Sequence, residues 1–374
     1  MRFFFWQNTN SIHQSDFLDA LAEKGAEVCL IVTVPISKKR KEMGWTEPKL
    51  KNVIVINTYE SEFDIPSFLT KNNGRECVHI FSGINAFPIV HQAFKFAIKL
   101  RCRVGVFTEP LDFRGLKGKA RWLRGFIHKL KWGSQVEMIL PTGSYGVRQF
   151  LGWGYPDGKI FEWAYTVKKS ESHIFEKQTD DNCFRIMFAG SLIARKGYDL
   201  LIQSLQLLSG KFDFQADFYC LSDSDTQQGR RIVEESNLHE NLKLLPFLPN
   251  SELRQRMNDY DLFVLPSRHD GWGAVVSESL MEGTPVVVSK ACGSSSQVIH
   301  NNNIGSVVKS NSVYELTESL KMMIKRGKLA TKTRKNNRMW AETHISGEKM
   351  ASYFNEIIMY IDGGKKMKPR LPWM

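Results

Sequence analysis

Short, almost purely apolar runs punctuate this chain, each followed by a stretch of helical period. No other feature restricts the fold as much. Phe3–Trp6, Cys29–Val34, Val53–Ile56, Val78–Phe81, Val104–Phe107 and Met138–Leu140 are such runs in the first half. Runs apolar at every position suit strands buried on both faces, as in a parallel sheet covered by helices. Ser15–Lys24 and Pro88–Leu100 carry helical period between them. The polar stretch Val167–Asn182, VKKSESHIFEKQTDDN, has no period and reads as a linker. The alternation then restarts, with strands expected at Arg185–Gly190, Phe214–Leu221, Leu242–Leu245, Leu262–Leu265 and Val286–Val288. Helices are expected at Tyr198–Leu208, Ser251–Asn258 and Ala274–Met281.

This pattern predicts an α/β chain of two Rossmann-like, doubly wound domains facing a cleft. The domains are expected over 1–167 and 183–345. Residues 346–374, with helix Gly347–Ile361 and a basic tail, are expected to pack back on the first. A length of 374 residues accommodates this. Ligands of such sheets bind beyond the carboxyl ends of the strands, so the residues to watch lie in the loops that follow them.

Lys and Arg number 51 against 39 Asp and Glu, a net charge of +12. That balance calls for an anionic partner: nucleic acid, a phosphate-bearing substrate or an anionic membrane. Six cysteines, none in C-x-x-C spacing and most within apolar runs, read as buried free thiols. A disulfide scaffold and a zinc ribbon are thereby excluded, and a reducing, cytoplasmic setting is expected. The N-terminal MRFFFWQNTN is too short for a secretory apolar core, and no run of apolar residues is long enough to span a membrane.

Two segments carry candidate chemistry. In FAGSLIARKGYDLL, Phe188–Leu201, a strand ends at Gly190, and a loop with Ser191 and Arg195-Lys196-Gly197 leads into a helix. Helix-start N–H groups beside two cations form an anion site; the same segment also reads as a solvated loop with two surface cations. Neither the Walker spacing nor the glycine pattern of dinucleotide folds is present. In LFVLPSRHDGWGAVVSESLMEGTPVVVS, Leu262–Ser289, a strand runs into Asp270, Gly271-Trp272-Gly273 and a helix containing Glu278. Glycines there let backbone N–H groups approach a ligand. A carboxylate at Glu278 suits two neighbouring hydroxyls, as on a ribose. The plainer alternative is a capping Asp270 and an exposed Glu278.

Taken together, the two segments resemble the retaining glycosyltransferases of GT-B fold, glycosyltransferase family 4. The resemblance rests on Lys196-Gly197, on Asp270-x7-Glu278 with Gly271-Trp272-Gly273 after the first acid, and on Gly283-Thr284-Pro285-Val286 after the second. The first half matches only in its α/β layout. The resemblance implies that Lys196 and Arg195 bind the donor diphosphate and that Glu278 accepts from the ribose hydroxyls. Asp270 and the Gly271–Gly273 backbone would hold the sugar. Gly190 and Ser191 would line the donor site, and Phe247 and Leu248 would seat the base. It also implies a retaining, metal-independent reaction with no cofactor beyond the nucleotide-sugar donor. Three departures stand out. Asp270 replaces the usual Glu, Ser191 stands where many members have Arg, and Glu109 occupies the strand end where many have His. Glu109 then either takes part in catalysis or complements the next helix start.

Phe113–Gly133 holds seven Lys/Arg and no acid, with apolar residues at helical spacing. Arg121, Trp122, Arg124, Phe126 and Lys129 suit an anionic membrane interface; an ordinary surface helix with snorkelling cations is the alternative. His13, after the first strand, faces the acceptor, the diphosphate or solvent.

The function expected is transfer of a sugar from a nucleotide-diphosphate sugar to a hydroxyl of a glycan or lipid-linked acceptor. This fits synthesis of a surface polysaccharide or glycolipid by a peripheral protein on the inner face of the plasma membrane. A sugar-nucleotide epimerase of the same fold is the nearest alternative. A basic nucleic-acid-binding protein is the alternative of another class, but the charge gathers on one amphipathic helix and no nucleic-acid motif is present. No nucleic-acid partner is therefore expected.

Overall fold

The structure, a computed structural model, describes every residue except 43–44, 171–182 and 222–225. Most of the stretch read as a linker therefore lies outside the described residues. In chain order the first part runs β1 (Arg2–Gln7), α1 (Ile12–Glu23), β2 (Glu27–Val32), α2 (Lys38–Glu42), β3 (Ile54–Asn57), α3 (Ile65–Lys71) and β4 (Cys77–Ser82). It continues through α4 (Pro88–Lys99), β5 (Arg103–Thr108), α5 (Gly115–Trp132), β6 (Val136–Pro141) and α6 (Gly143–Gly152). The second part runs β7 (Phe184–Ala189), α7 (Tyr198–Leu208), β8 (Phe214–Leu221), α8 (Thr226–Ser236), β9 (Leu242–Pro246), α9 (Asn250–Met257) and β10 (Leu262–Leu265). Then follow α10 (Ala274–Met281), β11 (Val286–Ser289), α11 (Ser295–Val298), β12 (Gly305–Val308), α12 (Val313–Arg326), α13 (Thr331–His344) and α14 (Gly347–Ile361).

The chain divides into two compact units. One comprises 1–37, 46–168 and 345–374; the other comprises 38–45 and 169–344. The unbroken first domain expected over 1–167 is thus interrupted, because an eight-residue excursion after β2 leaves no trace in the hydrophobic period. Each unit holds one six-stranded parallel sheet, ordered β3-β2-β1-β4-β5-β6 and β12-β11-β10-β7-β8-β9. Relative to its own first strand, each sheet has the same doubly wound order, with one reversal of direction. The α/β class expected from the sequence is the one observed.

In the first unit the apolar runs are buried where helices cover both faces of the sheet; the run Val53–Ile56, expected to be buried as well, forms edge strand β3, and its Ile54 and Val55 are exposed. Trp6 stacks on Phe81 with centroids 5.7 Å apart, and Phe94 meets Phe81 edge-on at 5.5 Å. Helix α14 belongs to this unit. Phe354 is fully buried against Phe3 at 5.1 Å and Phe17 at 5.6 Å, and Gly347 N donates to Asp16 Oδ2. Side chains of Ser11, Asp64, Ser312 and Ser346 cap α1, α3, α12 and α14. The six cysteines form no disulfide, and all but half-buried Cys183 are buried. Burial pushes the Cys29 thiol up to about 12 and Cys102 to about 11, which makes them poor nucleophiles. Among the described residues no helix is long and apolar enough to cross a membrane.

Candidate active site

The reversal of strand order in the second unit lies between β7 and β10, which pair Leu262 with Ile186 and Phe263 with Met187. Loops leaving their carboxyl ends diverge, and a crevice forms there. Both candidate segments occupy that position. The loop after β7 carries Gly190, Ser191, Arg195 and Lys196, and the loop after β10 carries Asp270 and Gly271–Gly273.

Backbone and side-chain bonds stitch the two loops together. Gly197, at φ +72°, closes the first loop, and any Cβ there would strike the Pro266 carbonyl. Arg268 N donates to Arg195 O at 2.8 Å. The Arg268 guanidinium grips both oxygens of Asp199 at 2.7 Å and reaches Ala194 O and Asn311 Oδ1. Hydrogen bonding from Arg268 holds the Asp199 carboxyl below the usual carboxylate range. Neither Arg268 nor Asp199 stood out in the sequence. An acid in the first turn of α7 was the one available signal, and nothing local links it to an arginine so far along the chain.

Within this frame Lys196 Nζ lies 2.6 Å from Asp270 Oδ2, and both side chains are largely buried. Arg195 Nη1 stands 3.9 Å from the same oxygen and donates to His269 O. Gly190 lets the Lys196 stem pass closely: a Cβ at 190 would touch Lys196 Cδ at 3.7 Å. The residues expected at the diphosphate and at the sugar therefore converge on one oxygen. Asp270 is no helix cap; the N-cap of α10 is Gly273, whose φ is +80° and which has no side chain to cap the helix.

Trp272 turns the other way. Its indole is buried and donates to Ser277 Oγ, which bonds Gln297 Oε1. The side chain expected at the donor is thus held in the core, where an apolar ring of that size gains most. Glu278 is likewise not an exposed surface acid. It is 2% exposed, and Asn250 Nδ2 donates to its Oε1 at 2.8 Å. Burial pushes its carboxyl up, opposed by the charge of Arg254 and the Asn250 bond. Asn250 opens α9 just after Phe247 and Leu248, both half-buried. The Glu278–Asn250 bond thus joins the expected ribose carboxylate to the loop expected to seat the base.

The remaining candidates lie in the first unit. Glu109 follows β5 and accepts from Tyr165 Oη at 2.6 Å. The His13 ring lies 5.9 Å from the Tyr165 ring, and His13 O accepts from Thr166 N. Tyr165 joins two residues far apart in sequence, and no short motif announces it. Glu109 stands before α5, whose first turn carries no acid; just ahead of the helix Asp112 accepts from Arg114 N.

Of the face expected at a membrane, helix α5 turns Trp122 inward. Trp122 packs on Phe113 at 5.0 Å and Trp153 at 5.6 Å, and its carbonyl accepts from Trp153 Nε1. Arg121 donates to Asp112 O, and Lys129 is half-buried. Arg124 and Phe126 are exposed. Gly118 and Gly125 decide the orientation: a Cβ at 125 would overlap the Trp153 ring and one at 118 the Phe113 backbone, so this face docks closely. Turned outward instead are Leu116, Leu123, Ile127 and Leu130, exposed by 84, 62, 47 and 80%.

Residues 169–340 match the family model described as Glycosyl transferases group 1, the kind of protein that the two segments resemble. AmsK of Erwinia amylovora, an amylovoran biosynthesis glycosyltransferase, is 23% identical over 45% of this chain and 43% of its own. CapM of Staphylococcus aureus, a capsular polysaccharide biosynthesis glycosyltransferase, is 23% identical over 57% of this chain and 56% of its own. The chain thus spans about half the length of these curated relatives. The crystal structure of Anabaena Alr3699/HepE in complex with UDP superposes with a TM-score of 0.69 at 15% identity, covering 96% of this chain and 100% of that one. At that identity the likeness shows the fold: the architecture is that of the GT-B glycosyltransferases.

Proposed function

We propose that this chain is a retaining glycosyltransferase. Its donor is a nucleoside-diphosphate sugar, and its acceptor is a hydroxyl of a glycan or lipid-linked sugar in surface polysaccharide or lipopolysaccharide synthesis. One observation carries the reading. Lys196 and Arg195 converge with Asp270 beside the glycine-bracketed start of α10, at the switch point of a domain whose family model is a glycosyl transferase.

In the reaction the bond between the sugar C1 and the diphosphate oxygen breaks, and a bond from C1 to the acceptor oxygen forms on the same face. The acceptor proton passes to the departing phosphate. Negative charge grows on the diphosphate as the sugar becomes oxocarbenium-like. Lys196, Arg195 and the α10 backbone N–H groups meet that charge and favour the transition state over the ground state. These cations supply the neutralisation, so the proposed reaction needs no metal. Asp270 holds Lys196 in place and accepts from a sugar hydroxyl. Glu278, kept in position by Asn250, accepts from the ribose. In the first unit, Glu109, tied to Tyr165 with His13 beside it, offers a carboxylate to the acceptor hydroxyl. The outward stripe of α5, flanked by Lys117, Arg124 and Lys131, rests on an anionic membrane face.

Thermal stabilisation by UDP, GDP, ADP, dTDP and CMP, and by the matching sugar nucleotides, tests the donor site. A nucleotide at 100 times its Kd stabilises by about 2.7 kcal/mol. One base should give that shift, and Glu278→Ala should abolish it. If no nucleotide stabilises the protein, the proposal fails. If a sugar nucleotide binds and is isomerised with no acceptor present, the chain is an epimerase.

A further inference from the structure

The first unit contains a cavity of about 130 Å³, bounded by the loop after β4, the end of β5, α5 and the segment after α6. Ile84, Leu111, Phe150 and Trp153 give it apolar walls, and Arg121 and Arg124 stand on its α5 side. Tyr155 also lines it. That residue is 3% exposed, and its Oη has no hydrogen-bond partner. A buried phenol without a partner loses its hydrogen bond to water and gains none in return, so its position points to a ligand atom that completes it. Burial pushes the phenol up to about 12, so it remains a neutral donor. His128, also on the wall, is pushed down to about 4 by burial and then by Arg124, so it is neutral at pH 7. Among the lining residues Glu109 is the one carboxylate, and it is already bonded to Tyr165.

Size, walls and charge narrow the ligand. A cavity of about 150 Å³ takes a benzene ring, so this one, at about 130 Å³, has the room of one ring and not of a nucleotide. An alkyl chain suits the walls but leaves Tyr155 Oη unmet. A pyranose ring meets both demands, with C–H faces for Trp153 and Phe150 and a hydroxyl for Tyr155. Arg121 and Arg124 then call for an anion on that ring. Helical spacing adds a second observation. Lys117, Arg124 and Lys131 fall at i, i+7 and i+14, all exposed. At 3.6 residues per turn this row separates the cavity-facing Arg121, Gly125 and His128 from the outward stripe Leu116, Leu123, Ile127 and Leu130. Sugar, phosphate and lipid would each meet the matching face of one helix.

We propose that this cavity binds a glycosyl phosphate, with the sugar ring against Trp153, Phe150 and Tyr155 Oη and the phosphate on Arg121 and Arg124. Its role as acceptor rests on the glycosyltransferase reading; its occupancy does not. The full-length chain, with UDP present to fill a nucleotide site, is titrated by ligand-observed NMR. The probes are the 1-phosphates of glucose, galactose, mannose and N-acetylglucosamine, the free sugars, and inorganic phosphate. Flotation with phosphatidylglycerol vesicles, with and without an isoprenoid-diphosphate-linked hexose, covers the lipid-borne source. A sugar phosphate or the doped vesicle should bind more tightly than free sugar, phosphate and undoped vesicle. Tyr155→Phe should weaken that binding about fivefold and Arg124→Gln about tenfold. A response of doped vesicles alone names a lipid-linked ligand; a response of the sugar phosphates names a free one. The proposal falls if no probe exceeds its controls, or if Tyr155→Phe, folded by circular dichroism, binds as the parent does. Nucleotide stabilisation that depends on Glu278 reports separately on the donor site, so the two readings fail independently.

Discussion

Lys196 and Asp270 form the residue pair on which the proposed chemistry turns. At 2.6 Å, with side chains 19 and 12% exposed, the pair is shielded enough for its charges to act strongly. Lys196→Ala removes the nearer cation and leaves Arg195 at 3.9 Å from the carboxylate. Turnover should fall about 10²-fold or more with the melting temperature nearly unchanged; near-normal turnover would remove Lys196 from the mechanism. Because cations supply the neutralisation, a chelator should leave turnover intact, and its loss in EDTA would overturn that part of the proposal. Another residue sets a pH limit on stability. His79 is fully buried: its Nδ1 accepts from Trp6 Nε1 at 3.2 Å, so Nε2 carries the proton and meets Asn72 O at 2.8 Å. Charging it costs both desolvation and the Trp6 bond, and burial pushes it from 6.5 down to about 4. Between those values the unfolded chain binds the extra proton, so stability rises with pH across the window and is lost as pH falls through it. Urea denaturation at pH 7 and at pH 4.5 should show this loss, with a shallower slope in His79→Gln. His128, pushed down to about 4 as well, adds to the slope in the same sense.

At the scale of elements, α5 shows what sequence conveys and what it withholds. Its existence and amphipathic nature were legible from the spacing of apolar residues, but the face it buries was not. Two glycines made that choice by admitting Trp153 and the Phe113 backbone close to the helix, and a glycine carries no weight in a hydrophobic period. Leu123→Ser with Ile127→Ser should therefore weaken sedimentation with phosphatidylglycerol vesicles roughly tenfold and leave the melting temperature alone. Trp122→Ser should do the reverse, lowering the melting temperature first. Equal sedimentation of the double variant would dismiss the stripe as the anchor. The same limit explains the other elements. Runs such as Phe3–Trp6 and Leu262–Leu265 declared themselves because both faces of the sheet are covered. Strand β12 escaped notice, being four residues long and opening on Gly305, while α12 and α13 have charge spread through their apolar period. The glycine and lysine positions after β7 and β10 were readable because a tight turn at a helix start demands them. Tyr165 beside Glu109 and Arg268 on Asp199 were not, because only the folded sheet brings such residues together.

For the whole molecule, the chain path matters more than the length of either half. The second unit ends at His344, and residues 345–374 complete the first, so one core depends on segments from both ends of the chain. Phe354 is the anchor, fully buried among Phe3, Phe5, Phe17 and Trp163. Phe354→Ala opens a cavity at that junction and should cost the first unit about 3–5 kcal/mol. The second unit has its own sheet and core, so it should keep its stability. Calorimetry can separate the two, because a nucleotide bound at the second unit raises only that unit's transition. In the parent chain with UDP, or with whichever nucleoside diphosphate stabilises it, one transition should rise and the other stay fixed. In Phe354→Ala the fixed transition should fall while the ligand-sensitive one keeps its shift. If both transitions fall together, the two units unfold as one cooperative body, and the terminal helix stabilises the whole chain and not one core.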